Sequence, residues 1–243
     1  MPKTKIKHGF GRIYKPDEKD KLFLMTKILP LTSEKTEQFW NDDGFWYDQG
    51  NQPICVGAAW AHWVEDAPIE HEGCIDPVWI YKEAQKEDDI PGEFYEGTTV
   101  RGGAQALQKG KGLISNYYWA DSVDDIILAL LELGPVTVGT NWYKGMSNPD
   151  AEGMLKVTGA LEGGHAYVLN GVDTVKGIFR MKNSWGRLWG KEGRAFIKIS
   201  DFAKLMPNGE ACLATEVANP APPPPEPSLW ERFLKWFYSW WPF

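Results

Sequence analysis

The dipeptide Gly134-Pro135 divides this sequence into two halves that read differently. Ahead of it the chain reads as helices. Residues 55–66 carry Ala58, Ala59, Trp60, Ala61, Trp63 and Val64, apolar on most sides, which predicts a buried helix. Asp76 caps a second helix with Pro77 at its first position, and Pro91-Gly92 stops it. A short helix is expected over Arg101–Lys109, and another from Ser122 to Leu133 with a Ser-x-x-Asp start. Behind Pro135, residues 136–140, 166–172, 177–182 and 194–199 read as strands, followed by a short helix at 201–206 and a last strand at 210–217. Helices first and strands second predict an α+β protein with two lobes.

Composition sets the outer limits. A chain of 243 residues that is 43% hydrophobic and 14% aromatic can bury a full core, as one large domain or one domain of two lobes. Its net charge is -7 and it has no basic run, which argues against nucleic acid as a partner. Residues 1–46, with Leu22–Met25 as their only compact apolar run, read as an arm that wraps the domain and carries one short strand, and residues 47–218 as the domain itself.

Pro220 to Pro227 then mark residues 219–227 as a stiff, extended spacer. The tail at 228–243 is aromatic, and as a helix it would carry Glu231, Lys235 and Ser239 on one stripe. It falls short of the ~20 apolar residues that span a bilayer. Leu229–Phe243 is expected to dock on a protein assembly, lie in a membrane interface, or fold back on its own domain. The basic start lacks an apolar run, so no secretory signal is read. The chain is expected in the cytoplasm or with an assembly such as a virion, peripheral to a membrane at most.

Cys55, Cys74 and Cys212 are too few and too scattered for a disulfide framework or a zinc site, so neither metal nor cofactor is expected. Cys55 differs from the other two by standing where turn chemistry (Gly50, Asn51, Pro53) meets the start of a helix. Unpaired backbone N–H groups and the helix dipole there favour thiolate over thiol. The plain alternative is a buried structural cysteine. Of the four histidines, His62 lies seven residues further along the same helix, about 10 Å away and out of reach. His8 and His71 sit in charged surroundings. His165 follows Gly163-Gly164 and is expected to begin a strand, open to approach. Asn183, at the end of another strand, could accept its ring N–H, and Trp185 could shield that bond.

Gln49-Gly50 ahead of Cys55, then Gly164-His165-Ala166, then Asn183-Ser184-Trp185-Gly186 with Trp189-Gly190 and Gly193, resemble in that order the papain family of cysteine peptidases. Gly97 to Gly102, Gly134 to Val138 and Gly209 to Ala214 extend the resemblance over roughly residues 8–217, as in a compact bacterial or phage-type member. It implies the two-lobed papain-like fold, with a helical lobe, an antiparallel β-rich lobe and the site between them. It also implies roles: Cys55 as nucleophile, His165 as general base and acid, Asn183 as the ring's orienter, Gln49 with the Cys55 N–H as oxyanion hole, and Trp185 as shield.

Departures accompany it. Pro53-Ile54 and Val56 flank the nucleophile where the family has other residues, so the leaving-group side is reshaped. The separations of 110 and 128 residues from Cys55 to His165 and Asn183 imply trimmed loops. Cys74 and Cys212 fit structural thiols of a reducing compartment. Gly163 and Gly164 would leave one side of the substrate pocket wide and uncharged, with Trp142 or Tyr143 as an apolar wall. The expected partner is a peptide or protein substrate; the rival readings are a non-catalytic module of an assembly, a cell-wall peptide hydrolase, and a protein whose active part is its tail.

Overall fold

The computed structural model describes residues 9–28, 32–42, 46–71, 75–92 and 95–217. The proline spacer, the aromatic tail, Cys74 and His8 lie outside them. The elements in chain order are α1 (Met25–Ile28), β1 (Glu37–Phe39), α2 (Cys55–Glu65), α3 (Pro77–Glu87), α4 (Val100–Gln105), β2 (Ile114–Trp119), α5 (Val123–Glu132), β3 (Val136–Tyr143), β4 (Leu161–Asp173), β5 (Ile178–Lys182), β6 (Arg194–Lys198), α6 (Ile199–Phe202) and β7 (Glu210–Glu216).

All the strands join one antiparallel sheet in the order β2-β7-β3-β4-β5-β6, with β1 on the far end of β4. The two faces of β4 alternate as a strand's must. Ala166 and Val168 pack with α2, α3 and α4, whereas Tyr167 and Leu169 pack with α5. Helices therefore cover both faces around two separate cores, an α+β arrangement in two lobes.

Local chemistry explains the helix starts. The Asp76 side chain caps α3 ahead of Pro77, and Ser122 with Asp125 forms a reciprocal capping box on α5. Every residue of α2 is buried. Burying so many aromatics requires partners for their N–H groups. Trp60 donates to the Val100 carbonyl at 2.9 Å and Trp63 to the Pro135 carbonyl at 2.8 Å, which ties α2 to the starts of α4 and β3.

Several expectations are corrected. The arm does carry one short strand, β1, but its apolar run Leu22–Met25 lies elsewhere: Leu22 ends a 3-10 turn capped by Asp17 and Met25 opens α1. Ile114–Trp119, in the half read as helical, is β2. Its alternation is masked because Asn116, Tyr117 and Tyr118 are polar or half-exposed, and only pairing with β7 makes it a strand. The Arg101–Lys109 helix begins at Val100, capped by Thr99, and widens into a π-turn over Ala106–Lys111 before Gly112. The last short helix lies earlier than 201–206, at Ile199–Phe202.

Helices α2 and α3 meet at Gly57, where a Cβ would lie 2.1 Å from the Pro77 carbonyl oxygen. Gly57→Ala should therefore force the two apart and destabilise the protein by roughly 1–3 kcal/mol. In urea unfolding this will read as a lower midpoint with an unchanged slope.

Candidate active site

Cys55 is the first residue of α2, and Ile54 provides no side-chain cap, so the first backbone N–H groups of the helix are left for other partners. Cys55 packs in one buried cluster with Ala166 and Val168 of β4, and the backbone N–H groups of Ala166 and Val56 favour its thiolate. The thiol therefore lies against β4 one residue past His165. His165 itself is not at the start of its strand as expected but within it, opposite Thr140 of β3.

The His165 Nε2 lies 2.8 Å from Asn183 Oδ1, and the Ser184 backbone N–H meets the same oxygen at 2.8 Å. A backbone N–H can only donate, so the Asn183 atom in place must be the carbonyl oxygen. Nε2 is then the protonated nitrogen, and Nδ1, on the other flank of the ring, is the one able to take a proton. Four aromatic rings enclose the imidazole: Trp142 at 4.8 Å, Trp185 at 4.9 Å, Phe10 at 5.7 Å and Tyr167 at 6.1 Å between centroids.

Gln49 joins this cluster through the backbone. Its N–H donates to the Ser184 carbonyl at 2.9 Å and Gly186 N–H donates to the Tyr47 carbonyl at 3.2 Å, so residues 47–49 run beside 184–186. The Ser184 hydroxyl donates to Gln49 Oε1 at 2.5 Å, which turns the amide nitrogen away from it. That nitrogen donates to the Gln52 carbonyl at 2.8 Å and reaches the Phe10 carbonyl at 3.5 Å. Neither Ser184 nor Phe10 had a role in the sequence reading. Ser184 adjoins Asn183, a signal that was present; Phe10 lies far off in the chain.

Two further groups set the frame. His62 accepts the Tyr47 N–H at 3.2 Å, and burial pushes its pKa well down, so it is a neutral clamp on the Gln49 segment. Lys182, the residue before Asn183, pairs with Asp66 at the end of α2 at 2.7 Å, with both side chains fully buried. Asp66 and Asp42 both accept from Asn170, and Arg194 pairs with Asp42 at 2.6 Å. The end of the Cys55 helix and the strand that leads into Asn183 are thereby joined.

The remaining predicted residues behave differently. Val56 is buried in the helical core facing Gly103. The space directly over Gly163 and Gly164 is taken: a Cβ on Gly163 would meet the Phe10 ring at 3.0 Å, and one on Gly164 the Arg12 carbonyl oxygen at 2.3 Å. Residues of the arm fill the space, and His165 is wholly buried. Trp142 is buried behind the imidazole, and Tyr143 is half-buried against the sheet core.

Electrostatics also departs from expectation. Burial pushes the Cys55 thiol up to about 12, and the nearby N–H groups and Arg12 offset only part of that. Desolvation outweighs the helix terminus. Cys212 is a second free, buried thiol, on β7. Among the described residues no group of three or more His, Cys, Asp or Glu could hold a metal ion, and no helix is long and apolar enough to cross a membrane.

The arrangement is that of the papain-like fold of cysteine proteases. The chain superposes on xylellain, a cysteine protease from Xylella fastidiosa, with a TM-score of 0.66 at 18% identity over 89% of this chain and 99% of that one. Procathepsin L2 from the larval midgut of Tenebrio molitor gives a TM-score of 0.59 at 16% identity over 88% and 80% of the two chains. The bromelain protease of Ananas comosus gives 0.55 at 17% identity over 75% and 100%. No protein-family model and no curated protein matches the sequence.

A thiol raised to about 12 is protonated throughout the neutral range. Alkylation of Cys55 in the native protein should therefore be slow at pH 7 and still climbing at pH 10, without the plateau of an ordinary thiol near 8.5. Intact-mass kinetics with iodoacetamide over that range will show it.

Proposed function

We propose that this chain is a thiol peptidase that hydrolyses peptide bonds with Cys55 as nucleophile, His165 as general base and acid, and Asn183 as orienter. One observation carries the reading: His165 Nε2 donates to an Asn183 oxygen fixed by Ser184 N–H, which turns the ring's basic nitrogen to the flank away from Asn183. Cys55 lies against the neighbouring Ala166.

In the reaction Nδ1 takes the thiol proton, and the thiolate attacks the scissile carbonyl carbon. The carbonyl oxygen gains the negative charge and is met by the Gln49 amide and the Cys55 N–H. The C–N bond breaks as the imidazolium passes its proton to the leaving amine. Water, deprotonated by the same nitrogen, then cleaves the thioester and restores the thiol. Asn183 stays neutral; its part is to hold the tautomer.

The papain-like fold supports this reading at the level of the scaffold. A non-catalytic module and a cell-wall peptide hydrolase are its rivals. His165→Ala should lower kcat/KM by about 10²- to 10⁴-fold, and Gln49→Ala by about 10²- to 10³-fold, in a fluorogenic peptide assay. Unmeasurable turnover that Cys55→Ala leaves unchanged, both in the wild type and in an Arg12→Ala background, would overturn the peptidase reading.

The tail extends the proposal. Leu229–Phe243, reached through the proline spacer, tethers the domain to a protein assembly or a membrane surface. Removing residues 220–243 should raise solubility and abolish co-sedimentation with anionic vesicles or with the assembly, leaving peptide turnover unchanged.

A further inference from the structure

Residues 9–13 lie across the candidate site as an extended strap bonded on both sides. On the sheet side the Gly164 carbonyl accepts from Arg12 N–H at 3.1 Å and from Gly11 N–H at 3.3 Å. On the helical side Thr98 N–H donates to the Gly11 carbonyl at 2.9 Å, and the Thr98 carbonyl accepts from Ile13 N–H at 2.8 Å. Gly9 N–H donates to the Gly50 carbonyl at 2.8 Å, and the Phe10 ring packs on His165 and Trp185. Backbone pairs of this kind hold any extended peptide; selectivity has to come from a side-chain pocket.

Arg12 occupies such a pocket. Its side chain is 1% exposed, with Nε donating to Glu210 Oε1 at 2.9 Å and Nη1 to the Asn208 carbonyl at 3.0 Å. The Tyr14 ring lies over the guanidinium at 4.5 Å. Glu210 stands opposite Gly139, and Gly139 stands opposite Ala166, so the acid shares a sheet row with Ala166, two strands across. Room for the guanidinium exists because Gly139 has no Cβ: one there would lie 2.8 Å from Arg12 Nε and 2.9 Å from Glu210 Oε1. A buried carboxylate is costly without a cation, and here burial raises Glu210 while Arg12 opposes that shift. Beside the strap an open groove of about 460 Å³, bordered by Asn51, Pro53, Glu96 and Gly164, leads out to solvent.

We infer that the Glu210 pocket selects a cationic side chain, arginine ahead of lysine, from the peptides this protein cleaves, and that the strap keeps the cleft shut by filling the pocket with Arg12. The inference rests on the peptidase reading above for cleavage, but not for binding. Arginine leads because the pocket offers acceptors to two separate guanidinium nitrogens, and an ammonium cannot span both.

The test uses the full chain in four forms: wild type, Arg12→Ala, Arg12→Lys, and Arg12→Ala/Glu210→Gln. The double variant removes the carboxylate that Arg12→Ala leaves unpaired, so a folded, strap-released form is obtained even if the single variant fails to fold. Cys55 alkylation is expected to be faster by roughly tenfold or more in Arg12→Ala and intermediate in Arg12→Lys. A synthetic peptide of residues 9–15 should restore protection to Arg12→Ala, and its arginine-to-alanine version should not. Cleavage of a positional peptide set by Arg12→Ala should favour arginine over leucine at one subsite by roughly tenfold or more, and the double variant should lose that preference.

Wild-type labelling rates in every variant, with no protection by the peptide, would overturn the strap. Cleavage with no cationic preference, or with one that survives Glu210→Gln, would overturn the pocket and leave the peptidase standing. Arginine-dependent protection without any cleavage would do the reverse.

Discussion

The buried pair Lys182–Asp66 is the interaction on which the rest of this architecture leans. With both side chains sealed from solvent, neither charge can be left alone, because removing one partner of such a pair commonly costs about 3–5 kcal/mol. Burial pushes the Asp66 carboxyl up and the Lys182 ammonium opposes it. The two can satisfy each other only if the C-terminal end of α2 stays against β5, and α2 carries Cys55 at its other end while β5 runs directly into Asn183. A pair with little net stabilising power thus acts as a ruler between the proposed nucleophile and the residue that orients its base.

Much of this was legible from residue types alone. The buried α2, the Asp76-Pro77 and Ser122 starts, and the strands behind Pro135 follow from local periodicity and capping, which a single segment contains. The order and flanking residues of Gln49, Cys55, His165 and Asn183 pointed to the segments that matter, and in the structure His165 bonds Asn183 while Gln49 bonds the adjoining Ser184. The contents of the cleft were not legible. Gly163 and Gly164 read as open space because a glycine shows only what it lacks; that Phe10 and Arg12 fill the gap depends on contacts more than 150 residues apart in the chain. Strand β2 was missed for a similar reason, since its pairing with β7 is long-range and its own pattern is weak.

Cys55 shows how two correct local arguments can be ranked only by tertiary structure. A helix N-terminus lowers a thiol pKa and burial raises it, and the sequence displays the first but not the depth of the second. Here burial prevails, with the value near 12. The backbone N–H groups of Ala166 and Val56 still favour the thiolate. What opposes the thiolate is the exclusion of water from the cleft.

That exclusion has a consequence for the protein's chemical lifetime. Peroxide and other oxidants attack the thiolate, and exposed, low-pKa cysteines are the ones carried up the ladder to sulfenic and then irreversible sulfinic acid. A sulfur kept protonated and fully buried stays off the first rung. The same burial that quiets Cys55 also preserves it as a reduced thiol.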